Sequence, residues 1–174
     1  AVYNACFCTF DSEWNTGYPV YQRALDVNYF GALRLTKTLL PYMRIARKGR
    51  IIYTGSVVSV TGLMDISPCA CSKGALESLA RCMQLENEQY GVTFHLFHPP
   101  FTDTAAAAGI VLPRGAKVDA KKVGYGLAEH MWSGKFVICH SAMQAARIRF
   151  AYRHPLFVGR LFTRRTRKAM VQNQ

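Results

Sequence analysis

RIIYTGS, residues 50–56, is apolar and β-branched, too short for a helix, and stops on Gly-Ser. Such a run reads as a buried strand. VTFHLFH (92–98), broken by Pro99-Pro100, reads as a second strand, and KFVIC (135–139) as a third. The segments between them are helical in pattern. From Tyr21 to Arg47 the apolar positions Leu25, Tyr29, Leu33, Leu40 and Met43 recur at helical spacing. Ser67-Pro68 reads as an N-cap followed by proline at the first helical position, and Gly91 is placed to stop that helix after Tyr90. Asp119 is expected to cap a helix through His130, with further helices to the end. Short buried strands separated by helices predict an α/β fold: a Rossmann-like parallel sheet, wound right-handed, with flanking helices. TAAAAGIVLPRGAK (104–117) reads as a mobile loop inside one domain.

In parallel sheets of this kind ligands bind outside the carboxyl ends of the strands. Ser56 and the segment HPPFTDT (98–104) fall at two such ends and share one rim. Lys73, one turn into the intervening helix, reaches the same rim.

Composition narrows the class. The chain has 174 residues, 50% hydrophobic and 18% charged, enough for one domain with a real core. It contains no run of 18 apolar residues to span a bilayer, and AVYNACFCTF lacks the pattern of a signal peptide. The net charge of +12 is concentrated late. Arg147, Arg149, Arg153, Arg160, Arg164, Arg165, Arg167 and Lys168 follow one another with no acidic residue among them, so 147–174 reads as a basic amphipathic tail. Six cysteines, two pairs of them spaced C-x-C, do not match the C-x2-C of zinc sites. Free thiols of a cytoplasmic protein, and no metal, are expected.

Five motifs in order resemble the short-chain dehydrogenase/reductase family. VYNAC (2–6) resembles the N-N-A-G that ends the family's fourth strand. DVNYFG (26–31) resembles the helix motif bearing the catalytic asparagine, here Asn28. GRIIYTGSVVSVTG (49–62) resembles the strand and loop bearing the catalytic serine, here Ser56. CACSK (69–73) occupies the Y-x-x-x-K position, with Cys69 thirteen residues after Ser56. HPPFTDT resembles the segment that lies against the nicotinamide. The resemblance implies that Asn28, Ser56, Cys69 and Lys73 stand at the catalytic positions, and that Asn4, Asn28, Lys73, Pro99, Thr102 and Thr104 touch the cofactor, NADP or NAD. In the family the tyrosine exchanges a proton while hydride moves between nicotinamide and a carbonyl carbon. Its lysine lowers the tyrosine pKa and holds the ribose, the serine holds the carbonyl oxygen, and the asparagine orders a relay water.

Three departures accompany the resemblance. Cys69 replaces the tyrosine, and a thiol lacks the ring that carries the hydroxyl to the substrate. Cys6 replaces the glycine of N-N-A-G, where a side chain would crowd the cofactor. No G-x-x-x-G-x-G phosphate loop occurs. In the family's strand order 3-2-1-4-5-6-7 the chain supplies the block 4-5-6-7, so strands 1–3 are expected to be missing and residues 1–174 to be part of a longer Rossmann domain.

The resemblance implies an NAD(P)-dependent oxidoreductase acting on a carbonyl or secondary alcohol. The tail and HPPFTDT look most like the lipid-directed branch that reduces 3-ketosphinganine. The other reading is a catalytically impaired member serving as a binding or scaffold protein. A homo-oligomer through the long helices at about 21–47 and 68–90 is expected, together with a peripheral membrane contact by the tail and a cytoplasmic location at a membrane surface. A nucleic-acid partner is not expected.

Overall fold

The computed structural model describes residues 1–112 and 115–172. Pro113 and Arg114 of the 104–117 loop, and Asn173 and Gln174 of the tail, lie outside the described residues.

Four strands, β1 (Val2–Tyr3), β2 (Gly49–Thr54), β3 (Val92–Phe97) and a later pair at Val137–Ile138, form one sheet in the order just given, every neighbouring pair parallel. Two shorter strands, β4 (Thr102–Asp103) and β5 (Val118–Asp119), pair separately, so the Val137–Ile138 strand is β6. The order β1-β2-β3-β6 matches the contiguous block anticipated from the sequence. The third strand is shorter than KFVIC, although the Phe136 carbonyl still accepts from Leu96 N–H at 2.8 Å.

The helices are α1 (Tyr18–Leu25), α2 (Gly31–Ile45), α3 (Val58–Thr61), α4 (Ser67–Asn87), α5 (Ala120–His130), α6 (Ala142–Arg153) and α7 (Pro155–Gln172). The single helix expected over 21–47 is α1 and α2 joined through a π-helical turn at Asp26–Phe30. A π-turn inserts one residue into an otherwise continuous helix and commonly marks a functional position; this one carries Asn28. Ser67 is not the cap of α4. Ile66 holds that place and the Ser67 hydroxyl is engaged with Tyr21 Oη at 2.7 Å, which ties α4 to α1 instead. Gly91 stops the following short helical turn, at φ +70°. Asp119 caps α5 as expected, its carboxylate accepting from Lys122 N–H at 3.0 Å.

The strand period of two sorts the core. Ile51, Tyr53, Val92, Phe94 and Leu96 face Ala32, Leu40, Leu76 and Ala80 of α2 and α4. Ile52, Phe97 and Ile138 point the other way, onto Val123 of α5. Each such side chain withdrawn from water contributes about 1.5–3 kcal/mol. A third cluster joins Val58, Leu63, Ile66 and Ile110 with Phe101 and Phe162, and so fastens α7 and the loop after β4 to the rim of the sheet. At the two ends of the 104–117 segment β4 pairs with β5, and Lys117 Nζ donates to the Ala107 carbonyl at 2.9 Å.

Candidate active site

The carboxyl end of β2 builds the site. Gly55 N–H donates to the Phe97 carbonyl at 2.8 Å, which keeps the two strands paired to their ends. Ser56 follows, half-buried. Its Oγ accepts from Val58 N–H at 3.4 Å and its carbonyl accepts from Ser59 Oγ at 2.6 Å. Among the described residues none accepts the Ser56 hydroxyl proton, so that donor is left for a ligand.

Lys73 is 2% exposed and its Nζ donates to the Thr54 carbonyl at 2.7 Å. Thr54 Oγ1 donates in turn to Asn4 Oδ1 at 2.9 Å. No carboxylate pairs with Lys73 among the described residues. An ammonium has three donors, so two remain beside the end of β2.

Asn28 is fully buried and its amide is saturated by the protein. Oδ1 accepts from Phe7 N–H at 2.7 Å, and Nδ2 donates to the Phe7 carbonyl at 2.9 Å and to Ser72 Oγ at 2.8 Å. Ser72 Oγ itself donates to the Cys69 carbonyl at 2.9 Å. The side chain of Asn28 therefore clamps the segment after β1 to the first turns of α4, and both its amide hydrogens are spent.

Cys69 is 6% exposed and faces two other thiols, Cys6 and Cys8. The contact with Cys6 favours its thiolate, but the Cys8 contact and burial outweigh it and push its pKa up to about 12. The Cys69 contact, then burial, also raises the Cys6 thiol. Cys8 is lowered, because the Cys69 thiol supports its anion, with the Lys73 charge adding to the effect against burial. Of the three, Cys8 ionises first. Cys6, at the position of the expected glycine, is an exposed residue.

Of the remaining sequence candidates, Pro99 and Thr102 are half-buried beyond β3, and Thr102 Oγ1 donates to the Pro100 carbonyl at 2.9 Å. Thr104 is exposed at the start of the following turn. The structure thus joins Asn4, Asn28, Cys69 and Lys73 through named hydrogen bonds and contacts, whereas Ser56, Pro99, Thr102 and Thr104 share the rim.

Sequence reasoning missed a polar network beneath that rim. Glu77 of α4, 4% exposed, accepts from Tyr152 Oη at 2.5 Å and from Ser59 Oγ at 3.0 Å, and pairs with Arg81. His98 Nε2 lies 3.1 Å from Tyr152 Oη and 3.9 Å from Glu77 Oε2. Burial lowers the His98 pKa to about 4 despite the nearby Glu77 charge. The same burial, with the Glu77 hydrogen bond, raises the Tyr152 phenol. The only signal in the sequence was a histidine ending an apolar strand.

The residues present fit the nicotinamide half of a dinucleotide. Lys73 offers two ammonium donors, Ser56 a free hydroxyl, and Asn4 an exposed amide at the same strand ends. Nothing in the chain has the glycine spacing that receives a pyrophosphate. Among the described residues no group of three His, Cys, Asp or Glu side chains is arranged to hold a metal ion, and no helix is long and apolar enough to cross a membrane.

Residues 2–114 match the family model described as short chain dehydrogenase. A dehydrogenase/reductase SDR family member 7C-B from Danio rerio is 27% identical over 137 residues, covering 71% of this chain and 43% of the relative. A 3-dehydrosphinganine reductase from the same organism is 32% identical over 88 residues, 51% of this chain and 26% of the relative. The chain therefore spans less than half the length of these relatives. Among solved structures, a short chain dehydrogenase from Burkholderia cenocepacia J2315 in complex with NADP superposes with a TM-score of 0.78 at 19% identity, covering 90% of this chain and 66% of that one.

Proposed function

The chain belongs to the short-chain dehydrogenase family, and from that premise we propose that it forms the catalytic portion of an NAD(P)-dependent oxidoreductase acting on a carbonyl or secondary alcohol. The observation that carries this reading is the convergence of Lys73, Ser56 and Asn4 on the carboxyl end of β2. The cofactor supplies or accepts the hydride. Lys73 holds the ribose side with its two remaining N–H groups, and Ser56 donates its unassigned hydroxyl proton to the substrate oxygen. Asn28 acts as a positioning residue, since its own side chain is saturated.

The thiol of Cys69 favours a second reading, a catalytically impaired member that binds without efficient turnover. A buried thiol raised to about 12 and turned toward Cys6 and Cys8 is a poor proton donor to a substrate. Positioned acid–base help is worth typically about 10²–10⁴-fold. Cys69→Tyr in the complete natural protein, assayed for carbonyl reduction with NADPH and with NADH, separates the two. A gain of about 10²-fold or more supports impairment of the natural protein. Equal turnover by the natural protein and the variant removes it.

A lipid carbonyl is the proposed substrate class, and a membrane surface in the cytoplasm the proposed location. The likeness to 3-dehydrosphinganine reductase supports this, as does the outer face of the tail. Leu156 and Phe157 are 68% and 60% exposed there, between arginines. A homo-oligomer through α1–α2 and α4 belongs to the same proposal, supported by Tyr42, Ile45 and Leu85 lying open on those helices. Light scattering that returns a monomer at tens of micromolar would count against it.

A further inference from the structure

We propose that the groove between α3 and α7 is a binding site for a phosphomonoester. The site lies outside the hydride chemistry, so it holds whichever reading of turnover is right. It is also narrower than a general attraction of the tail for acidic surfaces.

The groove is a cavity of about 300 Å³. Thr61 and Gly62 at the end of α3 form one wall, and Arg160, Thr163, Arg164 and Arg167 of α7 form the other. Small-molecule sites run from about 300 to 1,000 Å³, so this one admits a phosphate with a short organic attachment. Helical spacing explains the second wall. Residues three and four apart share a helix face, and at 1.5 Å per residue the stretch from 160 to 167 covers about 10 Å. Arg165 and Lys168 are exposed as well but do not line the groove. The walls approach closely because residue 159 is glycine, where a Cβ would run into the Thr61 carbonyl. About 200° around the helix from Arg160, Phe162 packs edge-on against Phe101 with ring centroids 5.8 Å apart. That contact fixes which face of α7 turns toward α3.

The charge of the groove is uncompensated. Arg160, Arg164 and Arg167 have no ion-pair partner among the described residues, and no Asp or Glu occurs between residues 130 and 174. Thr61 spends its hydroxyl on the Gly62 carbonyl at 2.9 Å, whereas the half-buried Thr163 hydroxyl has no partner among the described residues. Like charges three and four residues apart repel, and an anion held between them offsets that repulsion. The choice of anion follows from the donors. A carboxylate has two oxygens and one charge, which a single guanidinium fork satisfies. A phosphomonoester has three terminal oxygens and a charge of about −1.5 to −2, which suits three forks and a hydroxyl.

Two sources carry that group, a lipid headgroup and a free phosphorylated metabolite, and two measurements separate them. The 174-residue chain is titrated calorimetrically with glycerol 3-phosphate. It is also floated with phosphatidylcholine vesicles carrying phosphatidic acid or phosphatidylserine, matched in zeta potential. A saturable isotherm with one site per chain identifies a soluble ligand; preference for phosphatidic acid over phosphatidylserine identifies a headgroup. Either result is the expected one. Arg160→Gln combined with Arg164→Gln is expected to weaken that binding by about 10²-fold, because a hydrogen-bonded charged group is worth about tenfold or more. Arg165→Gln combined with Lys168→Gln removes the same charge outside the groove and is expected to leave the isotherm, or the headgroup preference, intact. All four side chains belong to exposed residues, and equal melting temperatures check that both variants fold. Equal loss in the two double variants overturns the proposal, since a diffuse positive field then suffices. A flat calorimetric trace together with flotation that ignores the headgroup overturns it too, yet agrees with the membrane location proposed above, so the two readings fail separately.

Discussion

Asn28 Nδ2 donates to Ser72 Oγ at 2.8 Å, although 44 residues separate the two in the chain. The bond makes a π-turn and the helix that carries Lys73 parts of one rigid unit. Asn28→Ala leaves the Phe7 N–H and carbonyl without partners, and an unsatisfied buried group costs about 1–3 kcal/mol. Because Phe7 is half-buried, a loss of about 2 kcal/mol in urea unfolding is expected. A loss under a few tenths would show that water replaces the amide freely.

Acid should weaken the fold through His98. Its pKa is about 4 folded against 6.5 in the open chain, so the unfolded state binds the proton more tightly. The stability that neutral His98 allows is complete above pH 6.5. It falls as the pH drops from there to 4, by about 3 kcal/mol. Glu77, Arg81 and Tyr152 face the ring, and the His98→Gln variant is expected to lose this part of the slope. Urea titrations at several pH values check it; an unchanged slope would show that His98 does not carry the acid sensitivity.

Gly159 should resist any side chain. A Cβ there would press on the backbone carbonyl of Thr61, which cannot swing aside. Gly159→Ala is expected to cost about 1–3 kcal/mol and to loosen α7 from α3. Limited proteolysis should then cut between α6 and α7 sooner than in the parent; identical digestion would show that α7 shifts without cost.

The outer face of α7 should bind acidic vesicles. Val158, Thr166 and Ala169 are buried and Phe162 is half-buried, while Leu156, Phe157, Leu161 and five basic residues are exposed. Each charge beside an anionic leaflet is worth about 1 kcal/mol. Changing Arg164, Arg165, Arg167 and Lys168 to Gln is therefore expected to weaken flotation with phosphatidylserine vesicles by about 10²–10³-fold. Flotation that is absent, or unaffected by the change, would make the face a protein contact.

The 174 residues alone should hold NADPH poorly. Contacts to the nicotinamide side are present but no backbone cradle for the pyrophosphate exists in this stretch. Fluorescence titration is expected to show no saturation below millimolar cofactor. A micromolar dissociation constant would require a phosphate site of a different construction.

The parallel, doubly covered sheet was legible because RIIYTGS and VTFHLFH are apolar on both faces, as strands covered by helices on either side must be, whereas the strand order came only with the resemblance to the family. The surroundings of Cys69 were not legible, because Cys6 and Cys8 lie more than sixty residues earlier and meet α4 only through folding. The π-turn was not legible, since one inserted residue leaves the apolar spacing on each side of it intact. Ser67 has every local property of a cap, but Ile66 holds that place and the Ser67 hydroxyl is taken by a tyrosine 46 residues earlier. Glu77, His98 and Tyr152 come from three elements, and no spacing rule joins residues that meet only through tertiary packing.

The π-turn at Asp26–Phe30 also works as a phase shifter. An α-helix advances about 100° per residue, so one extra residue turns everything after it by that angle. Ala32, Thr36 and Leu40 point into the core only because the turn before them is wide, and Thr36 meets Tyr53 Oη at 2.5 Å in consequence. Deleting one residue between Asp26 and Phe30 would regularise the helix locally and rotate α2 away from the sheet. For this chain a shorter, more ideal helix is a misaligned one.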